Sequence, residues 1–187
     1  MSHFPPTGLD LTFGHWVQQW QPHWLTAVMK SLNWVASPET FIILTLFVAI
    51  YVWHHHHPRQ GWKVLVLMAG NVLTIILKEL FDRPRPSIDQ VRVLIHETGF
   101  SFPSGHALGV VIFAAAMMVL WRPGHHRRHG LLATLLVGLI ILVGWSRLYL
   151  GVHWLTDILA GYLLATGWVW LCVRYWWPGI DRHVPTG

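Results

Sequence analysis

Residues 130–157 read GLLATLLVGLIILVGWSRLYLGVHWLTD, an uncharged run that ends directly in a group of ionisable side chains. The run Gly130–Ser146 contains no Asp, Glu, Lys or Arg, and it approaches the roughly 20 residues that a helix needs to cross a bilayer. Arg147, His153 and Asp157 follow it. An apolar helix with ionisable residues at its end indicates a membrane protein whose chemistry lies near one membrane surface.

The whole chain shares this character. It has 187 residues, of which 53% are hydrophobic and only 11% are charged, and its mean hydropathy is +0.44. We therefore predict an all-α integral membrane protein. Some runs are shorter than a full span, but helices can extend into flanks where an ionisable residue faces the protein interior. Five uncharged runs predict a bundle of five transmembrane helices: Thr40–Pro58, Val64–Leu77, Thr98–Trp121, Gly130–Ser146 and Ile158–Val173.

The first 37 residues follow a different pattern. Trp16, Trp20 and Trp24 recur every four residues on an apolar face that polar side chains interrupt. This mixture favours an amphipathic helix in the membrane interface, broken near Pro22, and a sixth span is the alternative. We expect an interfacial segment at 1–37, a transmembrane catalytic domain at 38–177 and a cytoplasmic tail at 178–187.

Three motifs carry residues that can hold a phosphate and attack it. They are KELFDRPRP (78–86), PSGH (103–106) and SRLYLGVHWLTD (146–157). Lys78, Arg85 and Arg147 are candidate phosphate ligands, because each offers a fixed positive charge and the arginine fork matches two phosphate oxygens.

Two histidines complete the chemistry. His153 and Asp157 are four residues apart, a spacing that places both side chains on one face of a helix. The carboxylate could then hold the proton on one ring nitrogen and leave the other nitrogen free to attack phosphorus. His106 is the candidate general acid for the leaving oxygen. Pro103 precedes a predicted helix start, so we expect Ser104 and Gly105 to offer free N–H groups to the anion.

Each residue also has a simpler interpretation when it is taken alone. Lys78 could be an ion-paired helix end beside Glu79, and PSGH could be an ordinary turn. The histidine and carboxylate of the third motif could be a satisfied polar pair. Arg83 is expected to be a solvated loop charge. The combination of six suitable residues at one end of the predicted spans favours the catalytic interpretation.

The order of the spans places all three motifs at the same membrane face. That face keeps three basic residues besides the predicted phosphate ligands, namely Lys30, Arg83 and Arg92. Cytoplasmic loops are enriched in Lys and Arg, so we expect the motif face to be extracytoplasmic. The opposite face receives seven basic residues: Arg59, Lys63, Arg122, Arg127, Arg128, Arg174 and Arg182.

The spacing of the motifs resembles the complete three-part signature of the type 2 phosphatidic acid phosphatase (PAP2) superfamily. The phrase HETGFSFPSGHA (96–107) and the third motif look like its bacterial membrane branch, which includes phosphatidylglycerophosphate phosphatase B and undecaprenyl pyrophosphate phosphatases. Members of that branch commonly have six transmembrane helices, whereas we predict five.

The resemblance implies specific roles. His153 would be the nucleophile, Asp157 its orienting partner and His106 the acid. The phosphate ligands would be Lys78, Arg85, Ser104, Gly105 and Arg147. It implies a lipid phosphate or pyrophosphate substrate such as phosphatidylglycerophosphate, undecaprenyl pyrophosphate or phosphatidic acid, a phosphohistidine intermediate, and neither a metal nor another cofactor.

Other prominent features are expected to lie outside the chemistry. The run His54–His57 is predicted on the opposite face, and Cys172 falls in an apolar run that does not suggest a reactive thiol. The isoelectric point near 9.9 reflects loop bases facing anionic lipid, because no basic patch interleaved with aromatic residues indicates nucleic-acid binding.

Three alternative functions are consistent with parts of the pattern. A lipid phosphotransferase would use the same phosphohistidine with another lipid as the acceptor. A transporter would place polar residues at several depths, whereas here they cluster at one end of the spans. A vanadate-dependent haloperoxidase shares the ligand signature, but five apolar spans argue against a soluble oxidase.

Overall fold

The computed structural model describes residues 4–56, 58–119 and 126–177, and at 126–129 only the backbone. Every regular element within these ranges is helical, as the sequence predicts. The last helix continues into a π-helical segment, Cys172–Trp176. The helices are α1 (Gly8–Val17), α2 (His23–Val35), α3 (Pro38–His55), α4 (Pro58–Ala69), α5 (Asn71–Phe81), α6 (Gly105–Val119), α7 (His126–Leu150) and α8 (Leu155–Leu171).

Four helical stretches of the described chain are long and apolar enough to cross a membrane. They are Pro38–His55, Pro58–Phe81, Gly130–Leu150 and Leu155–Trp176, and they contain or overlap four of the five predicted runs. The fifth run, Thr98–Trp121, is predicted to be one span but is only partly helical. Residues 98–104 are not helical, and α6 covers 15 described residues. An uncharged run alone does not separate an apolar helix from the Gly- and Pro-containing loop before it.

The second span breaks between α4 and α5 where an indole approaches the backbone. Trp168 Nε1 lies 3.2 Å from the carbonyl oxygen of Val66 and 3.1 Å from that of Leu67, and it donates to both. A Cβ at Gly70 would lie 2.5 Å from the Trp168 ring and 2.9 Å from Ile112. Glycine at position 70 therefore lets α8 approach the break closely.

The core lies around α6, which contacts α3, α4, α5, α7 and α8. Buried side chains such as Val52, Leu67 and Ile112 come from three of these helices. The outer faces of the bundle are apolar as well, as Phe47 and Leu163 show with exposed fractions of 64% and 74%. An apolar exterior is the pattern expected of helices that face lipid.

The N-terminal segment contains two helices, with the predicted break between Val17 and His23. Its contacts are with the end of the bundle that carries the motifs. Gln18 Nε2 donates to the carbonyl oxygen of Arg92 at 2.8 Å, and Gln21 Nε2 donates to that of Tyr149 at 2.8 Å. This end of the bundle is therefore partly covered by α1 and α2.

Candidate active site

The three motifs meet at one end of the bundle. Lys78 lies in the last turn of α5, and Arg147 lies in the last turn of α7. His106 lies in the first turn of α6, and Arg85 and His153 lie in the loops beside these helices. A cavity of about 440 Å³ opens between them, with walls that include Lys78, Arg85, Glu97, Gly105, His106 and His153.

His153 and Asp157 do not lie on one helix face. His153 is in a loop, and Asp157 caps the start of the helix that follows. His153 precedes α8, which begins at Leu155, and Asp157 lies in its first turn. Gly151, with a φ of +70°, turns the chain between α7 and α8. The Asp157 carboxylate accepts the backbone N–H of Trp154 at 2.9 Å and lies 3.4 Å from His153 Nδ1. The two side chains are close, but the predicted helical geometry is wrong.

The contacts of His153 indicate which of its ring nitrogens carries the proton. Arg85 Nη1 lies 3.2 Å from Nε2. Because a guanidinium only donates hydrogen bonds, Nε2 is the acceptor, and the ring proton lies on Nδ1 towards Asp157. Burial, and then the positive charges of Arg85 and its neighbours, hold the pKa of His153 well below its ordinary value. The imidazole is therefore neutral at pH 7, with a lone pair directed towards the cavity.

His106 presents a second imidazole to the same cavity. The centroids of the His106 and His153 rings are 6.4 Å apart. Arg147 Nη1 lies 2.9 Å from His106 Nε2, to which it donates. The guanidinium of Arg147 also donates to the side-chain oxygen of Asn33, which comes from α2. This arrangement places two imidazoles, packed edge to face, in the wall of the cavity beside a fixed cation.

A carboxylate bridges two of the predicted phosphate ligands. Glu97 Oε2 lies 2.9 Å from Arg85 Nη1, and Glu97 Oε1 lies 3.3 Å from Arg147 Nη1. Oε2 is also 3.8 Å from His153 Nε2. Two negatively charged oxygens thus face two guanidinium groups and Nε2 of His153, as two oxygens of a phosphate could.

Glu97 is a site residue that the spacing of the motifs does not reveal. It lies between the first and second motifs, in the phrase HETGFSFPSGHA. A carboxylate is an unexpected neighbour for ligands of an anion, so charge reasoning alone passes over it. Its position in that phrase, a few residues before PSGH, is the one signal that could have pointed to it.

The other predicted phosphate ligands are Lys78, Ser104 and Gly105, and not all of them have a group free to bind phosphate. Lys78 Nζ donates to the carbonyl oxygen of Phe100 at the cavity wall. Ser104 is fully buried, and its N–H donates to the carbonyl oxygen of Asp157 at 3.1 Å. The prediction of a free Ser104 amide is therefore wrong, because the start of α8 uses it. Gly105 does line the cavity at the start of α6, where the helix dipole favours an anion.

Arg83 is fully buried, so its prediction as a solvated loop charge is wrong. Its Nη1 donates to Asp157 Oδ1 at 2.5 Å, and its Nη2 donates to Asp10 Oδ2 at 2.8 Å. Asp10 belongs to α1, far away in the sequence, and local spacing gives no sign of this partner. The motif face therefore carries one surface charge fewer than the sequence suggested.

Three side chains in the cavity could ligate a metal ion. The ligand atoms of Glu97, His106 and His153 all lie within 4.8 Å of one another. Arg85 and Arg147 contact the same three side chains, and their positive charges oppose a cation at this point. The charges of the cavity therefore suit an anion better than a divalent metal ion.

An apolar groove adjoins the cavity. It has a volume of about 510 Å³ and shares Pro38, Glu39, Lys78 and Gly105 with the cavity walls. Its other walls come from α3, α4 and α5 and are largely aliphatic. A molecule with an anionic head and an apolar chain would fit across the two spaces. The apolar lining consists of Ile42, Leu65, Met68, Ala69, Val72 and Ile75.

Solved structures share this architecture. A transmembrane PAP2-type phosphatidylglycerolphosphate phosphatase from Bacillus subtilis superposes with a TM-score of 0.77 at 25% identity, over 95% of this chain and 86% of that one. LpxE from Aquifex aeolicus superposes with a TM-score of 0.71 at 23% identity, over 94% and 99% of the two chains. The second likeness concerns the fold alone.

Curated proteins are also similar in sequence. Phosphatidylglycerophosphatase B from Bacillus subtilis is 30% identical over 146 residues, which cover 76% of this chain and 70% of the relative. The putative undecaprenyl-diphosphatase YbjG from Escherichia coli is 32% identical over 151 residues, which cover 74% and 72%. The family model of the PAP2 superfamily matches residues 59–181, a range that includes all three motifs. This membrane protein therefore belongs to the PAP2 superfamily.

Proposed function

We propose that this chain is a membrane lipid phosphatase that hydrolyses a phospholipid or isoprenoid (pyro)phosphate through a phosphohistidine. The observation that carries the proposal is the environment of His153. Its Nε2 faces a cavity beside Arg85, while its Nδ1 faces the buried carboxylate of Asp157. A neutral imidazole in a pocket with cations on its walls suits nucleophilic attack on a phosphate.

In the first step, the Nε2 lone pair of His153 bonds to phosphorus as the bond to the leaving oxygen breaks. Asp157 stabilises the positive charge that forms on the ring, and Lys78, Arg85 and Arg147 neutralise the phosphate oxygens. Phosphate binding draws Arg147 away from His106 Nε2. That nitrogen takes up a proton from solvent in the first turnover, or keeps the one from the preceding hydrolysis step, and gives it to the leaving oxygen.

In the second step, a water molecule attacks the phosphohistidine. His106, now neutral, accepts a proton from that water, and the bond between phosphorus and Nε2 breaks. Inorganic phosphate leaves when the substrate is a monoester or a terminal pyrophosphate. His153 returns to its neutral form with its proton still on Nδ1.

The groove beside the cavity supports a lipid substrate. Its walls are aliphatic and lie between helices whose outer faces are apolar, so a hydrocarbon chain could remain in the membrane while its phosphate enters the cavity. Phosphatidylglycerophosphate and undecaprenyl pyrophosphate, which match the names of the relatives, and phosphatidic acid are the substrates we propose to compare.

The proposed reaction needs no metal ion. Phosphoryl transfer requires charge neutralisation and positioning, and guanidinium and ammonium groups can supply both. The charges of Arg85 and Arg147 beside the three possible metal ligands support this view.

We further propose five membrane spans, with α6 as the third. On this view α1 and α2 lie in the interface at the motif face. Contacts from both helices support this arrangement. Gln18, at the end of α1, donates to the carbonyl oxygen of Arg92, and Asn33, near the end of α2, accepts from Arg147. Trp16, Trp20 and Trp24 are each more than half exposed, which suits side chains that enter the headgroup region. The motif face would be extracytoplasmic in a bacterial cytoplasmic membrane.

Phosphate release from purified lipids tests the proposal. The protein in detergent is incubated with the three lipids, each with and without EDTA, and His153→Ala is the negative control. We expect release from at least one lipid, unaffected by EDTA and absent in the variant. Loss of activity in EDTA with recovery in magnesium would contradict the metal-free mechanism. Transfer to a second lipid without phosphate release would identify a phosphotransferase.

A further inference from the structure

A buried charge network joins the N-terminal helix to the proposed nucleophile. The guanidinium of Arg83 bridges Asp10 and Asp157, with N–O distances of 2.8 Å and 2.5 Å. The side chains of all three residues are completely inaccessible to solvent. The second oxygen of Asp157 lies 3.4 Å from His153 Nδ1. A continuous set of side-chain contacts therefore connects Asp10 in α1 with the imidazole of His153.

Several donors hold Asp10 in this position. Thr156 donates its backbone N–H and its hydroxyl to Asp10 Oδ1, each at 2.9 Å, and Thr7 N–H donates to Oδ2 at 2.8 Å. Burial acts to raise the pKa of Asp10, but these hydrogen bonds and Arg83 outweigh it and lower the pKa below its ordinary value. Asp10 is therefore ionised at neutral pH.

The charge balance of the network bears on catalysis. With both carboxylates ionised, two negative charges share one guanidinium, which leaves the network with a formal charge of −1. If Arg83 paired with Asp157 alone, it would neutralise the carboxylate that must stabilise a positive imidazole. Buried charges interact strongly because little water screens them.

We propose that Asp10 and Arg83 are positioning residues for the phosphohistidine step. Arg83 fixes the orientation of Asp157. Asp10 shares the Arg83 charge, so that Asp157 retains its negative charge for the imidazolium that forms when Nε2 bonds to phosphorus. This inference rests on the proposed function of His153 as the nucleophile.

A purely structural role, in which Asp10 only docks α1, makes a different prediction. Loss of docking would lower stability and loosen the neighbouring cavity, and KM and kcat would change together. Loss of charge would lower kcat alone, because neither Asp10 nor Arg83 lines the phosphate cavity in the described chain. The two roles can therefore be separated by kinetics.

The test uses the full-length protein in detergent and the lipid that the wild type hydrolyses best. Asp10→Asn keeps the shape of the side chain and removes its charge. We expect kcat to fall by about 10- to 100-fold, equivalent to one to two pKa units of differential stabilisation. KM should change by less than about twofold, because the phosphate ligands are untouched. Asp10→Glu should recover part of the lost kcat. Asp89→Asn is the matched control, an exposed carboxylate in a loop on the same face.

Arg83→Lys gives an independent test if Asp10→Asn does not fold. A single ammonium cannot span both carboxylates as the guanidinium fork does, so kcat should fall with KM unchanged. Wild-type kcat in folded Asp10→Asn or Arg83→Lys, or equal changes in KM and kcat, would overturn the inference. Turnover in His153→Ala would instead refute the proposed function, so the two failures are distinguishable.

Discussion

The carboxylate of Glu97 forms a 2.9 Å ion pair with Arg85 in the wall of the cavity. Its other oxygen faces Arg147 at 3.3 Å. A phosphate that binds these guanidinium groups must therefore compete with a charge supplied by the protein. Glu97 would lower the affinity for free phosphate, and this competition would favour release of the product.

We expect Glu97→Gln to bind inorganic phosphate more tightly. The change removes a negative charge beside two cations, and a tenfold lower inhibition constant corresponds to about 1.4 kcal/mol. Product inhibition of lipid hydrolysis measures it. Glu39→Gln is the matched control, because Glu39 lines the same cavity but, in the described chain, forms no ion pair with Arg85 or Arg147. Weaker phosphate inhibition in Glu97→Gln would show that Glu97 supports anion binding instead.

His153→Ala should abolish turnover, with a loss of about 10⁴-fold or more, as for removal of a catalytic-triad nucleophile. Asp157→Asn should lose less, because Nε2 stays in place while the tautomer is no longer held. Initial rates and thermal unfolding in detergent measure activity and folding separately. Normal turnover in folded His153→Ala would exclude it as the nucleophile.

Arg85→Gln and Arg147→Gln should each raise KM and lower kcat, the latter by roughly 10²- to 10³-fold, because their charges meet the phosphate in both the ground and transition states. Lys78→Gln should act in the same direction. Vanadate inhibition should weaken in all three variants. Arg92→Gln is the control, since Arg92 donates to Gln21 outside the cavity walls. Unchanged KM and vanadate inhibition in the three variants would argue against phosphate binding at these side chains.

Activity should persist below the pH at which an ordinary histidine becomes protonated. The pKa of His153 is lowered, so its neutral form survives to lower pH, and the acid limb of kcat/KM should lie below the ordinary histidine value. Arg85→Gln removes one cause of that shift, so the pKa of His153 should rise and the limb should move to higher pH. The pH profiles of the wild type, Arg85→Gln and the Arg92→Gln control provide the measurement, and a limb that does not move would contradict the assignment to His153.

Cysteine labelling can test the topology. In a Cys172→Ser background, Gln19→Cys places a thiol in the exposed turn between α1 and α2, and His55→Cys places one at the far end of α3. A membrane-impermeant reagent should label Gln19→Cys in intact cells and His55→Cys only after lysis. The reverse pattern would overturn the proposed orientation, and labelling of both only after lysis would contradict an outer N-terminal segment.

Much of the architecture follows from local sequence. An apolar run such as Gly130–Ser146 predicts a span because a backbone in lipid must satisfy its own hydrogen bonds, which a helix does. The order of the spans then places Lys78, His106 and Arg147 at one end of the bundle. Hydropathy and motif spacing could therefore indicate which residues meet. In the structure Lys78 and His106 line one cavity, and Arg147 donates to His106 beside it.

The tertiary structure decided how these residues meet. Arg83 pairs with Asp10 across 73 residues of sequence, and Glu97 reaches Arg147 across 50. Neither pairing follows from local spacing. A buried charge needs an opposite charge nearby to offset its loss of hydration, and only the folded chain determines which residue supplies that charge. His153 meets Asp157 through a turn at Gly151 and a helix cap, although its spacing suggested one helix face. The sequence by itself determined the apolar helices and the set of candidate reactive residues, and only the folded chain decided their partners.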